Sequence, residues 1–124
     1  MSVVFGNIEP DDEFNRELLG HVHPANWTNP TPAERYNMVV IGGGPAGLIV
    51  AAAASGMGAK VALIERHLLG GDCLNVGCIP SKSIIASSRA AAAIRDSVEF
   101  GIQSSQPDVD FGAVMERMRK IRAG

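Results

Sequence analysis

The rhythm of apolar positions changes several times along the chain. Met38-Val39-Val40-Ile41 is a short, unbroken apolar run that ends at glycine. Such a run predicts a strand buried on both faces. A glycine turn follows, then an alanine-rich stretch over 48–54 with high helix propensity, ended by Gly56 and Gly58. Lys60-Val61-Ala62-Leu63-Ile64-Glu65 is a second β-rich run. Strand, glycine turn, helix and strand over residues 38–65 are the βαβ unit of a parallel sheet, for which a right-handed crossover is expected.

Residues 66–82 hold more glycine and both cysteines. Residues 81–95 are again helical in composition, with Ala86, Ala90, Ala91, Ala92, Ala93 and Ile94. Residues 96–109 read as loop. Asp110 is placed to cap a last helix on which Phe111, Val114, Met115, Met118 and Ile121 share one face, the methionines serving as core filler. Upstream, Asp11 and Asp12 can cap a short helix that runs through Leu19 and closes at Gly20. Pro24, Pro30 and Pro32 then make an extended tether. His21 and His23 have no third ligand nearby and are expected in a solvated loop. Residues 1–37 therefore read as an N-terminal extension with a Pro-rich tether, and 38–124 as the N-terminal part of one α/β domain. No internal repeat is present.

Composition narrows the classes. With 124 residues there is room for about one domain. At 46% hydrophobic and 19% charged, the chain is globular rather than disordered. The net charge is −2 and the basic residues are scattered, which excludes a nucleic-acid footprint and a polybasic membrane patch. Residues 38–59 carry no charge and are long enough to span a bilayer. Seven of them are Gly or Pro, however, and the cluster at 42–45 would leave backbone groups unpaired in lipid, so no membrane insertion is expected. Met1-Ser2-Val3-Val4-Phe5-Gly6 lacks the basic start and apolar run of a signal peptide. A cytoplasmic, reducing setting follows, where a close cysteine pair is redox or metal chemistry more often than a staple. Two cysteines cannot close a structural zinc site by themselves, and no metal site is expected.

Gly42-Gly43-Gly44-Pro45-Ala46-Gly47 fits G-x-G-x-x-G. Gly42 permits the tight turn out of the strand. Gly44 lets backbone approach a pyrophosphate, and Gly47 lets helix and strand pack closely. The free amides at the helix start then hold phosphates. The context agrees: a strand precedes, a helix follows, and Glu65 ends the second strand, 23 residues after Gly42. An acid there is placed to accept hydrogen bonds from a ribose hydroxyl and repels a 2′-phosphate. The fingerprint alone does not separate FAD from NAD.

Gly70-Gly71-Asp72-Cys73-Leu74-Asn75-Val76-Gly77-Cys78-Ile79-Pro80 adds the second chemistry. Positions i and i+5 of a regular α-helix have Cα atoms about 8–9 Å apart, whereas a disulfide needs about 4.4–6.8 Å. A Cys73–Cys78 bond thus requires a distorted helix, and Gly77 and Pro80 supply the freedom and the disruption. A disulfide closing so short a loop stabilises by only about 2 kcal/mol, and forced geometry makes it easier to reduce. These properties suit a working disulfide better than a structural one. Lys82 lies one helical turn after Cys78, where a cation lowers a thiolate's pKa.

The run from Ile41 through Gly47, then Glu65, then the run from Gly70 to Ser81-Lys82 resembles the N-terminal FAD segment of the class I pyridine nucleotide–disulfide oxidoreductases. The resemblance covers roughly residues 36–124. It implies a Rossmann-like βαβ FAD-binding domain, incomplete here, with parallel strands flanked by helices. By position, Cys73 resembles the interchange thiol and Cys78 the flavin-side thiol, the two catalytic groups. Lys82 resembles the lysine beside the flavin ring and Glu65 the adenosine-ribose ligand. Gly42, Gly43, Gly44, Pro45, Ala46 and Gly47, with Arg66, Gly71, Asp72 and Gly77, complete the implied FAD contacts. The implied reaction runs from NAD(P)H to FAD, to the Cys73–Cys78 disulfide, and on to a small disulfide, dithiol or mercuric ion.

Asp72 departs from the family, which commonly has Thr there; a negative charge so near a pyrophosphate needs local hydrogen bonds. Ile79-Pro80-Ser81-Lys82 is more similar to the dihydrolipoamide dehydrogenase and mercuric reductase branches than to the glutathione one. The Pro-rich extension resembles that of mercuric reductase-like flavoproteins, without their vicinal-thiol module. Whole members are much longer homodimers with a second fingerprint for NAD(P) and a C-terminal His–Glu pair. This segment by itself is expected to bind FAD weakly and turn over nothing. A non-catalytic FAD-binding or thiol-redox module is the alternative, and an NAD-linked Rossmann dehydrogenase with an incidental cysteine pair a third reading.

Overall fold

A computed structural model describes residues 8–124, so the signal-peptide expectation at Met1–Gly6 lies outside the described residues. The first element is helix α1, Glu13–Val22. Asp12 caps it, its carboxylate accepting from the Asn15 amide at 2.8 Å. Gly20 does not close this helix. The chain continues helically to Val22, and the His23 N–H bonds back to the Leu19 carbonyl at 2.9 Å. His21 therefore lies on the helix, not in a loop, with Nδ1 3.2 Å from the Ala123 carbonyl oxygen. A glycine with no left-handed φ is merely a weak helix residue, and packing of Leu18 and Val22 overrides it.

Residues 24–37 have no regular element and lead to strand β1, Met38–Ile41. Helix α2, Pro45–Gly56, and strand β2, Val61–Ile64, complete the βαβ unit. The two strands pair in parallel, with Met38 opposite Val61 and Ile41 opposite Ile64, and the Gly42 N–H extends the ladder to the Ile64 carbonyl at 2.8 Å. The fold is α/β, an incomplete Rossmann-like unit, as expected. The uncharged stretch 38–59 is thus strand, turn and helix, and no helix of the described residues is long and apolar enough to cross a membrane.

One expectation for β1 fails. It is not buried on both faces: Val39 is 54% and Ile41 84% exposed. Among the described residues the sheet has only two strands, and helix α2 is the helix packed on both of them. The run's hydrophobicity is that of a central strand, but among the described residues only β2 pairs with it.

Past β2, the chain forms helix α3, Gly71–Asn75, then helix α4, Cys78–Arg95. A 3-10 turn, Asp96–Phe100, and an irregular stretch lead to helix α5, Phe111–Ala123, which Asp110 caps through the Ala113 amide at 3.0 Å. The expected apolar face of α5 is only partly used. Met118 is buried and Val114 and Met115 half-buried, but Phe111 and Ile121 are exposed. The helix is rotated so that Arg119 and Arg122 share the inner face with Met118, because α1 offers them Asp12 and Asn15.

The centre of the packing lies where α1, α5 and the segment before α3 meet. Leu18, Val22, Leu68 and Ala123 are buried together, with Ile8, Phe14, Leu19, Leu69 and Leu74 packed around them. Cutting Leu18 to Ala would cost about 2–5 kcal/mol, since it is 1% exposed.

Candidate functional site

The glycine loop joins β1 to α2. Gly44 is the N-cap of α2 and Pro45 opens the helix at a position where a missing N–H costs nothing. No side chain caps this terminus, so the first-turn amides face outward without a side-chain acceptor. Gly47 sits one turn in, where any Cβ would overlap the Gly42 carbonyl oxygen.

Glu65 follows β2 and turns back to this loop. Its Oε2 accepts from the Gly43 N–H at 2.7 Å, and its Oε1 from the His67 N–H at 2.7 Å. These bonds hold its carboxyl below the usual carboxylate range: the Gly43 amide contributes most, His67 next, and partial burial works against them. A carboxylate has about four lone-pair sites, so both oxygens can still accept a hydroxyl. Arg66 is exposed beside it. Glu65, Arg66, His67, Gly71, Asp72 and Asn75 line most of an open cavity of about 740 Å³. Neither cysteine lines it.

The cysteine segment abuts the glycine loop directly. The Gly70 N–H donates to the Gly43 carbonyl at 2.8 Å. Gly71 has φ +56°, and a Cβ there would lie 2.9 Å from the Gly44 Cα. Only glycine meets both demands at this junction. Asp72 is exposed on the first turn of α3, and its carbonyl accepts from Val76 at 3.0 Å and Gly77 at 2.5 Å.

The helix breaks between the cysteines, at Val76 and Gly77, so Cys73 ends up on α3 and Cys78 opens α4. A Cβ on Gly77 would press within 2.8 Å of the Asp72 carbonyl oxygen. Pro80 is not part of the break. It lies in the first turn of α4, which starts three residues before the expected 81 because proline fits a first helical turn. Both thiols are free and half-buried. The Cys73 thiol is pushed up, first by its hydrogen bond with the Cys78 side chain, then by burial and the nearby Cys78 charge; the Cys78 amide and the Lys82 ammonium oppose this. Cys78 and Lys82 are thus the neighbours that bear on the Cys73 thiol, in opposite senses.

The structure thus gathers the glycine loop, Glu65, Gly71 and the cysteine pair, while Arg66, Asp72 and Lys82 stand exposed at the rim. The residues suit a dinucleotide pyrophosphate: an uncapped helix start, a crossing of two glycines without Cβ atoms, and a carboxylate and an open cavity beyond them. Sequence reasoning missed Asn75. It is buried, and its Nδ2 donates to the Leu69 carbonyl at 3.1 Å and the Gly71 carbonyl at 2.8 Å, fixing the left-handed turn. It also missed Arg122, which donates to the Asn75 carbonyl at 2.9 Å and to Asn15 Oδ1. The 3- and 4-residue spacing of Met115, Met118, Arg119 and Arg122 was the available signal. Among the described residues no group of three or more His, Cys, Asp or Glu gathers for a metal ion.

The sequence model of a family described as "Pyridine nucleotide-disulphide oxidoreductase" matches residues 36–123. Curated relatives include a dihydrolipoyl dehydrogenase of Zymomonas mobilis, 39% identical over 72% of this chain and 19% of its own length. Those of Chlamydia muridarum and Bacillus subtilis are 44% and 35% identical over 73% and 72% of this chain. The chain spans only 19–20% of the length of these three relatives.

Proposed function

The chain belongs to the pyridine nucleotide-disulphide oxidoreductase family, and from that premise we propose that it holds the FAD site and redox dithiol of an FAD-dependent NAD(P)H:disulfide oxidoreductase. Residues 38–124 form the N-terminal part of the FAD-binding domain and residues 1–37 an extension ahead of it. The crossing of Gly44 and Gly71 carries this reading, because it sets the dithiol segment against an uncapped helix start.

Gly42, Gly43, Gly44, Pro45, Ala46 and Gly47, with Gly71 and Asp72, would hold the pyrophosphate. Glu65 would accept from the adenosine ribose, with Arg66 beside it. Gly77 and Lys82 would serve the flavin end of the site. Bound FAD supplies two-electron chemistry between a reduced pyridine nucleotide and the cysteine pair. Closing a disulfide between Cys73 and Cys78 releases two electrons and two protons; reopening it takes them up. In exchange, the Cys73 thiolate attacks a sulfur of the substrate disulfide and expels one thiol. Cys78 then attacks Cys73 in the mixed disulfide and expels the second; a substrate dithiol runs the same two steps in reverse against the Cys73–Cys78 disulfide. The neighbouring Cys78 favours the protonated form of Cys73, and the Lys82 ammonium works against it toward the thiolate.

The relatives' names favour a dihydrolipoamide-type dithiol over mercuric ion or glutathione disulfide as the substrate. The resemblance supports a cytoplasmic homodimer as the working form. The test is reconstitution with FAD. The purified protein should turn yellow, and two more thiols should titrate after reduction than after mild oxidation. Cys78→Ser should remove that difference and leave flavin bound. A long-wavelength absorbance band on reduction that Cys78→Ser abolishes would separate the enzyme from a non-catalytic flavin or thiol-redox module. A colourless protein whose thiols stay free under mild oxidation refutes the reading.

A further inference from the structure

Asn15 and Leu18, each 1% exposed, are the most enclosed large side chains of the described residues. Both belong to α1, outside the stretch 36–123 that the family shares. From α1, two routes of contact reach the turn before the cysteines. In the first, Asn15 Oδ1 accepts from Arg122, the same guanidinium donates to the Asn75 carbonyl at 2.9 Å, and Asn75 Nδ2 donates to the Gly71 carbonyl at 2.8 Å. In the second, the Val22 carbonyl accepts from the Leu69 N–H at 3.1 Å. Leu69 and Gly71 flank Gly70, which is bonded to the Gly43 carbonyl of the glycine loop.

We propose that α1 is a positioning element for the pyrophosphate cradle, with Asn15 acting through Arg122 and Asn75 on Gly71. It rests on the FAD reading of that loop. Gly70 and Gly71 both hold positive φ, and glycine loses more freedom than any other residue when fixed in one conformation. Without α1, a ligand must order this turn itself, and its affinity falls by the fraction of time the turn is competent. Linkage makes the effect reciprocal: what α1 gives to FAD binding, FAD binding returns to the docking of α1.

The test uses the purified wild-type protein, Asn15→Ala, Asn15→Asp and Trp27→Ala. Trp27 lies on the same extension but is 68% exposed and bonds only locally, to Asn29. Asn15→Ala should raise the FAD dissociation constant about ten- to 150-fold, as expected for losing a buried hydrogen bond to a charged group. Asn15→Asp keeps an acceptor for Arg122 but loses the Nδ2 donor to the Pro10 carbonyl at 2.6 Å, so it should bind FAD more tightly than Asn15→Ala without reaching wild type; Trp27→Ala should match wild type. Amide exchange on the wild-type protein needs no variant, so a misfolded Asn15→Ala does not stall the test. Adding FAD should slow exchange over 16–22 more than over 86–95. A wild-type protein that binds no FAD overturns the cofactor reading itself. A wild-type protein that binds FAD, with no selective protection of 16–22 or with Asn15→Ala binding as tightly, overturns the role of α1 alone.

Discussion

Gly44→Ala and Gly71→Ala separate a cradle for a ligand from a merely crowded turn. In the structure, a Cβ on Gly44 meets nothing nearer than the Gly71 Cα at 3.9 Å, an ordinary contact. Its φ of −74° suits alanine. The only cost to the folded chain is the exchange of a fair N-cap for a poor one, about 0.5–1 kcal/mol. That corresponds to a loss of about 2–4 °C in thermal midpoint for a chain of this size. Gly71 is different. Alanine at φ +56° costs about 1–2 kcal/mol, and a Cβ 2.9 Å from backbone that cannot swing away adds about 1–3 kcal/mol. Gly71→Ala should therefore lose most of its fold stability and its FAD together. Gly44→Ala should stay folded and yet bind FAD at least about 100-fold more weakly, because its methyl fills the space through which a pyrophosphate reaches the first-turn amides. Thermal unfolding without ligand and flavin-fluorescence titration measure the two effects. If Gly44→Ala holds FAD within threefold of wild type, no pyrophosphate lies against this loop.

Three more outcomes follow from the site. Gly77→Ala drives a Cβ to 2.8 Å from the Asp72 carbonyl oxygen; it should destabilise by about 1–3 kcal/mol and slow disulfide formation, read by denaturant unfolding and timed thiol titration. Glu65 has a folded pKa below its ordinary value near 4.5, so its stabilising contribution is complete at neutral pH and is lost as pH falls from about 4.5 through the lower folded value. Glu65→Gln should accordingly flatten the acid limb of stability against pH, and unchanged acid sensitivity in that variant would rule out the Gly43 and His67 bonds as its source. Lys82→Met removes a charge that pulls the Cys73 thiol down, so alkylation of Cys73 should begin at higher pH than in wild type. An onset unmoved by the substitution would show that the ammonium stands too far off to act.

The βαβ unit and the two acidic caps were legible because each rests on a local rule: an apolar run ending at glycine, or an Asp ahead of an amphipathic stretch. The break between the cysteines was legible for a stricter reason, since two sulfurs six positions apart, counting both, cannot meet on a regular helix. What failed was everything set by distant partners. Gly20 was expected to close α1, but Leu18 and Val22 find Leu68 and Ala123 and carry the helix past it. Phe111 and Ile121 were expected inward, but Asp12 and Asn15 draw Arg119 and Arg122 in and turn α5. Asn75 looked like one polar residue among many in a glycine-rich run. Its importance comes from two carbonyls, at Leu69 and Gly71, that only the folded turn brings to one side chain.

The two halves of the site are supported unequally. The glycine loop hangs from a two-stranded sheet whose outer residues Val39 and Ile41 remain open, and such a sheet is marginal without further packing. The cysteine turn is anchored twice, by the buried cluster of Leu18, Val22, Leu68 and Ala123 and by the Arg122–Asn75 bonds. Burial has a cost in this anchor: it draws the Arg122 guanidinium's pKa down, an effect Asp12 opposes and Arg119 adds to. A charge is retained there because one guanidinium reaches two elements at once, where a leucine of similar volume would reach neither carbonyl nor amide. The Gly70–Gly43 bond and the Gly44–Gly71 contact then tie the weakly backed loop to the well-backed turn. On the proposed FAD reading, a dinucleotide across that junction would touch both halves, and its binding energy would go chiefly into fixing the loop that the sheet holds loosely.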